Sequence, residues 1–210
     1  KCIMVLKGHT NGVHSLVQRD DNTIISGGGL FDSTIKIWNL STESCIKTFS
    51  GHIGAIRSLI IHNSHLVSGS DDGTLRIWNY NKDKPDSILN GHTNGIHCVI
   101  KMQWELNNDT IISGSWDNTI RIWNSNTGAK SILHGHTNGV NCLVQIKWKL
   151  DDKTIASGGW DKTIRLWNIV TEQCIKVISG HSGCVKCLIQ FDLECPILVS
   201  GSYDKTIRLW

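Results

Sequence analysis

The segment that decides the fold reads G-H-T-N-G-V-N-C-L-V over residues 135–144 and T-I-A-S-G-G-W-D-K-T-I-R-L-W-N over residues 154–168. It contains a Gly-His pair, a Ser-Gly pair, an aspartate in a turn and a tryptophan that ends an alternating apolar stretch. The same succession begins at four further Gly-His pairs: Gly8-His9, Gly51-His52, Gly91-His92 and Gly180-His181. Successive pairs lie 43, 40, 44 and 45 residues apart. This period indicates one supersecondary unit used five times, and it predicts a repeat architecture for the whole chain.

Within each unit, apolar residues alternate over short stretches bounded by Gly, Asn, Asp or Ser, which is typical of β-strands. The first unit shows this pattern over residues 13–18, 23–27, 34–38 and 45–49, and residues 2–6 predict one more short strand before it. No stretch has a sustained helical period. Four short antiparallel strands per unit indicate a blade of a β-propeller, so the predicted fold class is all-β.

The composition places the chain among globular proteins, with 40% hydrophobic and 19% charged residues and a formal net charge of +3. A charge this weak does not favour a nucleic-acid partner, and no apolar run is long enough to cross a bilayer. A lysine or arginine stands two residues before each strand-end tryptophan, and its regularity indicates a role within the blade. We therefore expect no nucleic-acid partner and no membrane partner.

The eight cysteines do not predict a disulfide framework. Six of them fill two shared repeat positions, Cys2, Cys45 and Cys174 at one and Cys98, Cys142 and Cys187 at the other. Equivalent positions lie in different blades, too far apart to be bridged. They are read as small core residues in a reducing compartment, the cytoplasm or, as an alternative, the nucleus. Cys184-x-x-Cys187 resembles half a zinc site without a second half, so no metal and no cofactor are expected.

The five units resemble the WD-repeat family, and the resemblance covers the whole chain. The family's Trp-Asp pair reads Trp-Asn in four units, which leaves the turn aspartate in place. The resemblance implies a single propeller domain over residues 1–210, with repeats at roughly 8–50, 51–90, 91–134, 135–179 and 180–210 plus 1–7.

In that family, a histidine, a serine, an aspartate and a tryptophan of each blade form a hydrogen-bonded chain. The matching sets are His9, Ser26, Asp32 and Trp38; His52, Ser68, Asp72 and Trp78; His92, Ser113, Asp117 and Trp123; His136, Ser157, Asp161 and Trp167; and His181, Ser200, Asp204 and Trp210. An indole N–H only donates, a carboxylate only accepts, and hydroxyl and imidazole groups do both. A buried chain of these four groups therefore has a partner for each of them.

Serine, histidine and aspartate are also the members of a hydrolase triad. An enzyme needs one such set, whereas this chain has five, each tied to a tryptophan at a fixed offset. The sequence contains no G-x-S-x-G nucleophile elbow. We therefore expect a protein that is not an enzyme and has no catalytic residues.

Ten positions differ most between the repeats, and the resemblance implies that they border the mouth of a central channel. They are His14, Arg57, His97, Asn141 and Lys186 on the first strands, and Phe31, Asp71, Trp116, Trp160 and Tyr203 before the turn aspartates. Aromatic and basic residues are common anchors of protein interfaces. The resemblance also implies an acidic or phosphorylated peptide, because phosphopeptide-reading members place basic side chains where Arg57 and Lys186 stand. The alternative is that the aromatic residues only cover the turns and the basic residues are solvated.

The first hairpins of the third and fourth units are longer than the others and carry Trp104 and Trp148. We expect these side chains to pack within the hairpins rather than to form a second partner surface.

The expected function is a non-enzymatic protein–protein interaction scaffold that binds a protein or peptide partner at the channel mouth. A passive structural or targeting module of a larger or engineered assembly is the alternative, and a phosphopeptide reader is a further one. Residues 2–6 are expected to pair with residues 206–210 and to close a five-bladed ring. A fragment of a seven-bladed ring and a ring completed by oligomerisation are the alternatives, and the oligomeric state is left open.

Overall fold

The computed structural model describes residues 2–103, 109–148, 151–191 and 196–210. The expectation for the side chains of Trp104 and Trp148 lies outside the described residues. The described residues form 19 strands and no helix, so they contain no helical segment that could span a membrane. The predicted all-β class and the repeated antiparallel blade are confirmed.

The chain forms two compact units, residues 1–91 and residues 92–210. The first unit contains two four-stranded antiparallel sheets, ordered β1-β2-β3-β4 and β5-β6-β7-β8. Their strands are β1 Val13–Asp20, β2 Thr23–Gly28, β3 Ile35–Asn39, β4 Ser44–Phe49, β5 Ile56–His62, β6 His65–Ser70, β7 Leu75–Trp78 and β8 Pro85–Leu89.

The second unit contains three sheets, ordered β9-β10-β11-β12, β13-β14-β15-β16 and β17-β18-β19. Their strands are β9 Ile96–Lys101, β10 Thr110–Ser115, β11 Ile120–Asn124, β12 Gly128–Leu133, β13 Val140–Trp148, β14 Asp151–Gly159, β15 Ile164–Asn168, β16 Gln173–Ile178, β17 Val185–Phe191, β18 Ile197–Ser202 and β19 Ile207–Leu209.

The structure differs from the sequence prediction at the start of the chain, where residues 2–12 contain no strand. A strand requires backbone hydrogen bonds to a neighbouring strand, and alternation alone does not supply them. The fifth sheet has three strands. The closure of a ring by residues 2–6 therefore stays a prediction.

A β-bulge interrupts the first strand of every sheet at its second residue. Val13 pairs with Gly28 and Ser15 with Gly27, so the register skips His14. In the other four sheets the register skips the equivalent residues, which are Arg57, His97, Asn141 and Lys186. A bulge re-aims a side chain away from simple alternation. Five of the ten variable positions are thus set apart from the regular ladder by the backbone itself.

The turn between the second and third strands has one left-handed residue directly after the turn aspartate. These residues are Ser33, Gly73, Asn118, Lys162 and Lys205, with φ between 52° and 79°. Glycine occupies the position only once, although the conformation favours it. In the second unit, the N–H groups of Asn118, Lys162 and Lys205 donate to the carbonyl three residues earlier, which closes the turn. This geometry directs the aspartate side chain back over the sheet.

The core of the first unit forms where β1–β4 packs on β5–β8. Ile25, Ile35 and Ile56 are fully buried there, and the rings of Phe49 and Trp78 lie 5.0 Å apart. The described residues of the second unit include two such clusters, one containing Trp167 and the other Val185. Burial of a large apolar side chain contributes about 1.5–3 kcal/mol, so these clusters hold neighbouring sheets within each unit together.

Candidate functional site

Each of the five sheets contains a hydrogen-bonded chain of tryptophan, serine, histidine and aspartate, here called the relay. The sets that the structure joins are the five sets named from the sequence. The indole Nε1 lies 2.7–2.9 Å from the serine Oγ. The serine Oγ lies 2.6–2.7 Å from the histidine Nε2. The histidine Nδ1 lies 2.6–2.8 Å from the aspartate Oδ2.

The relay has one arrangement of protons that satisfies its groups. An indole N–H can only donate, so the serine oxygen accepts from it. The serine hydroxyl then donates to the unprotonated Nε2 of the histidine, and Nδ1–H donates to the carboxylate. In the third sheet the side chains of His92 and Asp117 are 0% and 6% exposed, and Ser113 is 0% exposed. An unmatched donor or acceptor at such depth would cost about 1–3 kcal/mol, so the order of protons is part of the fold.

A threonine two residues after each turn aspartate completes the relay and was not among the predicted site residues. These residues are Thr34, Thr74, Thr119, Thr163 and Thr206. Their backbone N–H groups lie 2.9–3.1 Å from the aspartate Oδ1. Their hydroxyls donate to the same oxygen, at 2.6–2.8 Å in the last four sheets. The signal was present, because Asp-x-Thr recurs in all five units.

The carboxylates of the relay are held in their ionised form. Burial by itself would raise the pKa of Asp32, but hydrogen bonds from Thr34, the Thr10 N–H and His9 outweigh it and lower that pKa to about 2. Burial is likewise outweighed at Asp161, where His136 and Thr163 lower the pKa to about 2. The pKa values of Asp72, Asp117 and Asp204 are lowered for the same reasons.

The imidazole of His52 is held in its neutral form. Burial lowers its pKa below the usual 6.5, because desolvation penalises the imidazolium more than the neighbouring Asp72 favours it. A neutral ring can accept from serine at Nε2, which an imidazolium cannot do. The protonation state therefore agrees with the order of protons along the relay.

The glycine lies against the relay tryptophan in four of the Gly-His pairs, those of Gly8, Gly51, Gly135 and Gly180. A Cβ at Gly180 would lie 2.8 Å from Cη2 of Trp210, and one at Gly135 would lie 3.0 Å from Cη2 of Trp167. Their φ angles are +158° and +156°, which L residues rarely adopt. The glycine of the pair is thus required by the close approach of the tryptophan ring, and the histidine by its place in the relay.

In the second unit, the three residues before the turn aspartates are held by backbone hydrogen bonds. The N–H of Trp116 donates to the carbonyl of Gly95, that of Trp160 to Gly139, and that of Tyr203 to Cys184, at 2.8–3.0 Å. Their side chains are 45%, 37% and 60% exposed. In the first unit, Phe31 at the equivalent position is 84% exposed. A rigid backbone thus presents aromatic side chains to solvent.

In the second unit the three aromatics form a continuous row, here called the aromatic row. The rings of Trp116 and Trp160 are nearly perpendicular, with centroids 6.5 Å apart. The rings of Trp160 and Tyr203 are also edge to face, 5.7 Å apart. His97 stacks on Trp116 at 4.6 Å. The Nζ of Lys186 lies 5.5 Å and 5.0 Å from the ring centroids of Trp160 and Tyr203.

Arg57 and Asp71, both predicted to contact a partner, bind each other in the first unit. The Arg57 Nη2 lies 2.6 Å from Asp71 Oδ2, and its Nε lies 2.9 Å from Oδ1. Nη1 lies 3.3 Å from Nδ1 of the exposed His14. A planar guanidinium and a carboxylate form a favourable bidentate pair. A phosphate at Arg57 would have to displace this carboxylate, which weakens the prediction that Arg57 reads one.

Asn141 departs from the prediction, because its side chain is buried rather than presented to a partner. The residue is 8% exposed. Its Nδ2 donates to the carbonyl of Val185 at 3.1 Å and lies 2.7 Å from Cys184 Sγ. The bulge turns Asn141 toward the next sheet, and we remove it from the set of partner-binding residues.

The profile of the family described as WD domain, G-beta repeat matches residues 1–39, 43–79, 83–124, 129–168 and 172–210. The chain belongs to the WD40 family. The five matched segments together cover more than nine tenths of the chain, and each contains one relay.

Curated relatives match this WD40 chain over single stretches. A probable E3 ubiquitin ligase complex SCF subunit, scon-2 of Neurospora crassa, is 56% identical over 46 residues, which are 22% of this chain and 7% of the relative. The nuclear distribution protein PAC1 of Candida glabrata is 44% identical over 50 residues, 24% of this chain and 10% of the relative. The WD repeat-containing protein pop2 of Schizosaccharomyces pombe is 41% identical over 56 residues, 27% and 8%. The matched stretches thus span a tenth or less of these relatives.

The connectivity of each WD40 relay equals that of a hydrolase triad, yet its serine is unsuited to attack a substrate. Ser113 and Ser157 are 0% exposed, and their Oγ atoms already accept an indole N–H. A nucleophile must be reachable by the atom that it attacks. The relays are therefore structural.

None of the cysteines that the structure describes is paired in a disulfide, but the expectation that they are core residues holds only in part, because Cys2, Cys45 and Cys187 are exposed. Burial raises the pKa of the Cys98 thiol to about 12 and that of Cys142 well above its usual range. Cys184 is buried and Cys187 is exposed. Within the ranges that the structure describes, no three His, Cys, Asp or Glu side chains form a metal-binding group. The reducing compartment stays a prediction.

Proposed function

We propose that this WD40 domain is a non-enzymatic interaction scaffold that binds an extended segment of a protein partner on the aromatic row. The observation that supports the proposal is that Trp160 contacts both Trp116 and Tyr203, and that each of the three side chains is more than a third exposed. Tryptophan and tyrosine dominate the binding energy of protein interfaces, because they bury a large area with few rotatable bonds.

The relatives support the general role. The Neurospora crassa relative is named as a subunit of a complex, and subunits act through contacts with other proteins. The chain spans a small part of each relative, so the complexes in their names do not identify the partner of this chain.

The repeat pattern supports the location of the binding surface. Relay positions carry the same residue in every unit, whereas the positions before the turn aspartates carry Phe, Asp, Trp, Trp and Tyr. Residues that do the same structural task in every unit must be the same in every unit. Residues that select one partner must differ between units. The variable positions are therefore the ones available for recognition.

The test compares how much partner protein is captured by the wild-type domain and by two variants. The comparison requires that all three unfold at the same temperature. The immobilised wild-type domain is compared with the double variant Trp116→Ala/Trp160→Ala and with Phe191→Ala. Phe191 is a matched control, because it is 50% exposed at the opposite end of β17 from Lys186. We expect the double variant to lose the bound proteins and Phe191→Ala to retain them. Equal capture by all three would instead favour the passive structural or targeting module.

A further inference from the structure

Trp116 and Trp160 form the walls of a cleft with a defined polar rim. The cleft has a volume of about 340 Å³ and is lined by these two indoles and by Asn94 and Asn138. The two rings meet at 86°, so they present two flat apolar walls. A flat apolar ring can contact both walls at once.

The two asparagines are oriented so that each offers a donor. Asn94 Oδ1 accepts from the Gly95 N–H at 2.7 Å, and Asn138 Oδ1 accepts from the Gly139 N–H at 2.8 Å. Their Nδ2 groups have no hydrogen-bond partner among the described residues. An amide donor next to an apolar notch suits a backbone carbonyl that makes no bond within its own chain. Polyproline II segments have such carbonyls throughout, and their rings dock in aromatic-lined grooves.

Lys186 determines the charge that is accepted beside the cleft. Aromatic pairs commonly attract cations, but here the protein's own ammonium group already lies against Trp160 and Tyr203. A cationic ligand would meet a like charge. No carboxylate of the described residues lies within ion-pair distance of the Lys186 Nζ, whereas Arg57 is paired with Asp71. Lys186 is thus a positive charge available to an anionic group of a ligand.

The spacing of the row determines the spacing of the ligand groups. Successive ring centroids lie 6.5 Å and 5.7 Å apart. An extended or polyproline II chain rises about 3.1–3.4 Å per residue, so one step along the row corresponds to two residues. The cleft lies at the first pair of rings, Trp116 and Trp160, and Lys186 lies at the next pair, Trp160 and Tyr203, so the two sites are successive along the row.

From these observations we infer that the aromatic row binds an extended acidic segment with a proline in the Trp116–Trp160 cleft. A carboxylate two residues from that proline pairs with the Lys186 ammonium group. The inference rests on the proposed function and adds the chemistry of the ligand to it. The carboxylate belongs to an aspartate or glutamate of the segment, and no phosphate is required.

The probe is a phage-displayed library of random 12-residue peptides, selected on the wild-type domain and counter-selected on Trp116→Ala/Trp160→Ala. We expect enrichment of clones with proline two residues from aspartate or glutamate. The best clone is then synthesised with a fluorescent label, together with versions in which proline is alanine, the acid is its amide, or the acid is phosphoserine.

Fluorescence polarisation measures the affinities of these peptides for the wild-type domain, Lys186→Gln and Lys84→Gln. Lys84 is an exposed lysine directly before β8 and serves as the control for loss of one positive charge. We expect the amide peptide to bind about tenfold more weakly than the acid to wild type and to Lys84→Gln. On Lys186→Gln the two peptides are expected to bind equally, and the alanine-for-proline version is expected to be weaker on all three proteins.

The possible failures are distinguishable. Enriched peptides that need both tryptophans but lack the acid, or that are basic, would overturn the inference and leave the proposed function standing. A phosphoserine version that binds more than tenfold better than the carboxylate would also overturn it. Absence of any clone that distinguishes wild type from the double tryptophan variant would contradict the proposed function itself.

Discussion

Trp116 and Trp123 lie seven residues apart, the first in the turn after β10 and the second in β11, and they have opposite tasks. Trp123 is 1% exposed and donates its indole N–H to Ser113 at 2.8 Å. Trp116 is 45% exposed and contacts Trp160 and His97. The repeat distinguishes them, because Trp123 has a tryptophan at the same place in every unit whereas Trp116 does not. Uniform positions form the relay, and the variable positions of the aromatic row form the surface that we propose for recognition.

Acid should produce the largest loss of folding stability, because it protonates the aspartates of all five relays and does not change the rings of the aromatic row. The folded pKa values of Asp32 and Asp161 are about 2, below the ordinary 3.8. A carboxylate with a lowered folded pKa contributes stability above its unfolded pKa and loses it as pH falls through the folded value.

We therefore expect the free energy of unfolding to decline steeply between pH about 4 and 2. His52 adds a shallower decline that starts below pH 6.5, because it is neutral when folded and takes up a proton when unfolded. Urea unfolding at a series of pH values measures both. Asp161→Asn should reduce the slope below pH 4, and an unchanged slope would contradict the assignment.

Trp123→Ala should be the most damaging single substitution. It removes a buried ring and the donor to Ser113, and such changes cost about 3–5 kcal/mol. Chemical denaturation of the wild type and the variant measures the loss. A cost below about 1 kcal/mol would show that the indole does not hold the sheet.

Asp117→Ala should cost less, about 1–3 kcal/mol, because it strands the buried Nδ1–H of His92 and two donors of Thr119. The matched control is Asp71→Ala in the first unit, at a part-buried surface ion pair. We expect the thermal midpoint to fall for Asp117→Ala by several times the change for Asp71→Ala. Equal midpoints for the two variants would refute a relay role.

Thr119→Val should cost about 0.5–1.5 kcal/mol, because it removes one hydroxyl donor to Asp117 and keeps the shape of the side chain. Since that hydrogen bond helps to lower the pKa of Asp117, the variant should also begin to unfold at higher pH than wild type. Acid titrations followed by circular dichroism would show the shift, and coincident curves would count against the threonine.

Trp116→Ala should have the smallest effect on stability, below about 0.5 kcal/mol, as expected for an exposed side chain. Its effect should appear in binding instead. The same denaturation experiment compares the losses of unfolding free energy in Trp116→Ala and Trp123→Ala. A loss as large as that of Trp123→Ala would mean that the aromatic row is a packing feature.

The sequence predicted the four strands of the first unit and the tryptophan, serine, histidine and aspartate of each relay, because a period of 40–45 residues repeats the same chemistry five times. The strand predicted at residues 13–18 is Val13–Asp20 in the structure, and the one at residues 45–49 is Ser44–Phe49. Because the same local pattern occurs five times, an irregular residue in one unit does not obscure it.

The surface could not be predicted to the same depth, because its contacts depend on which neighbours meet. The bulge at Asn141 has no signature in one strand, since it is defined by the register of two. The pairing of Arg57 with Asp71 joins two variable positions that are both polar in only one unit. The repeat pattern identifies the variable positions. Only the structure shows which of their side chains are already bonded to other residues of the same chain.

Long-range ¹H–¹⁵N NMR of the imidazoles at pH 7 tests the central claim most directly. If five buried relays hold the sheets, five histidines carry their proton on Nδ1 and accept at Nε2, and five of the nine indole N–H groups resist exchange with solvent. Relay histidines with the proton on Nε2, or relay indoles that exchange as fast as Trp116, would contradict it.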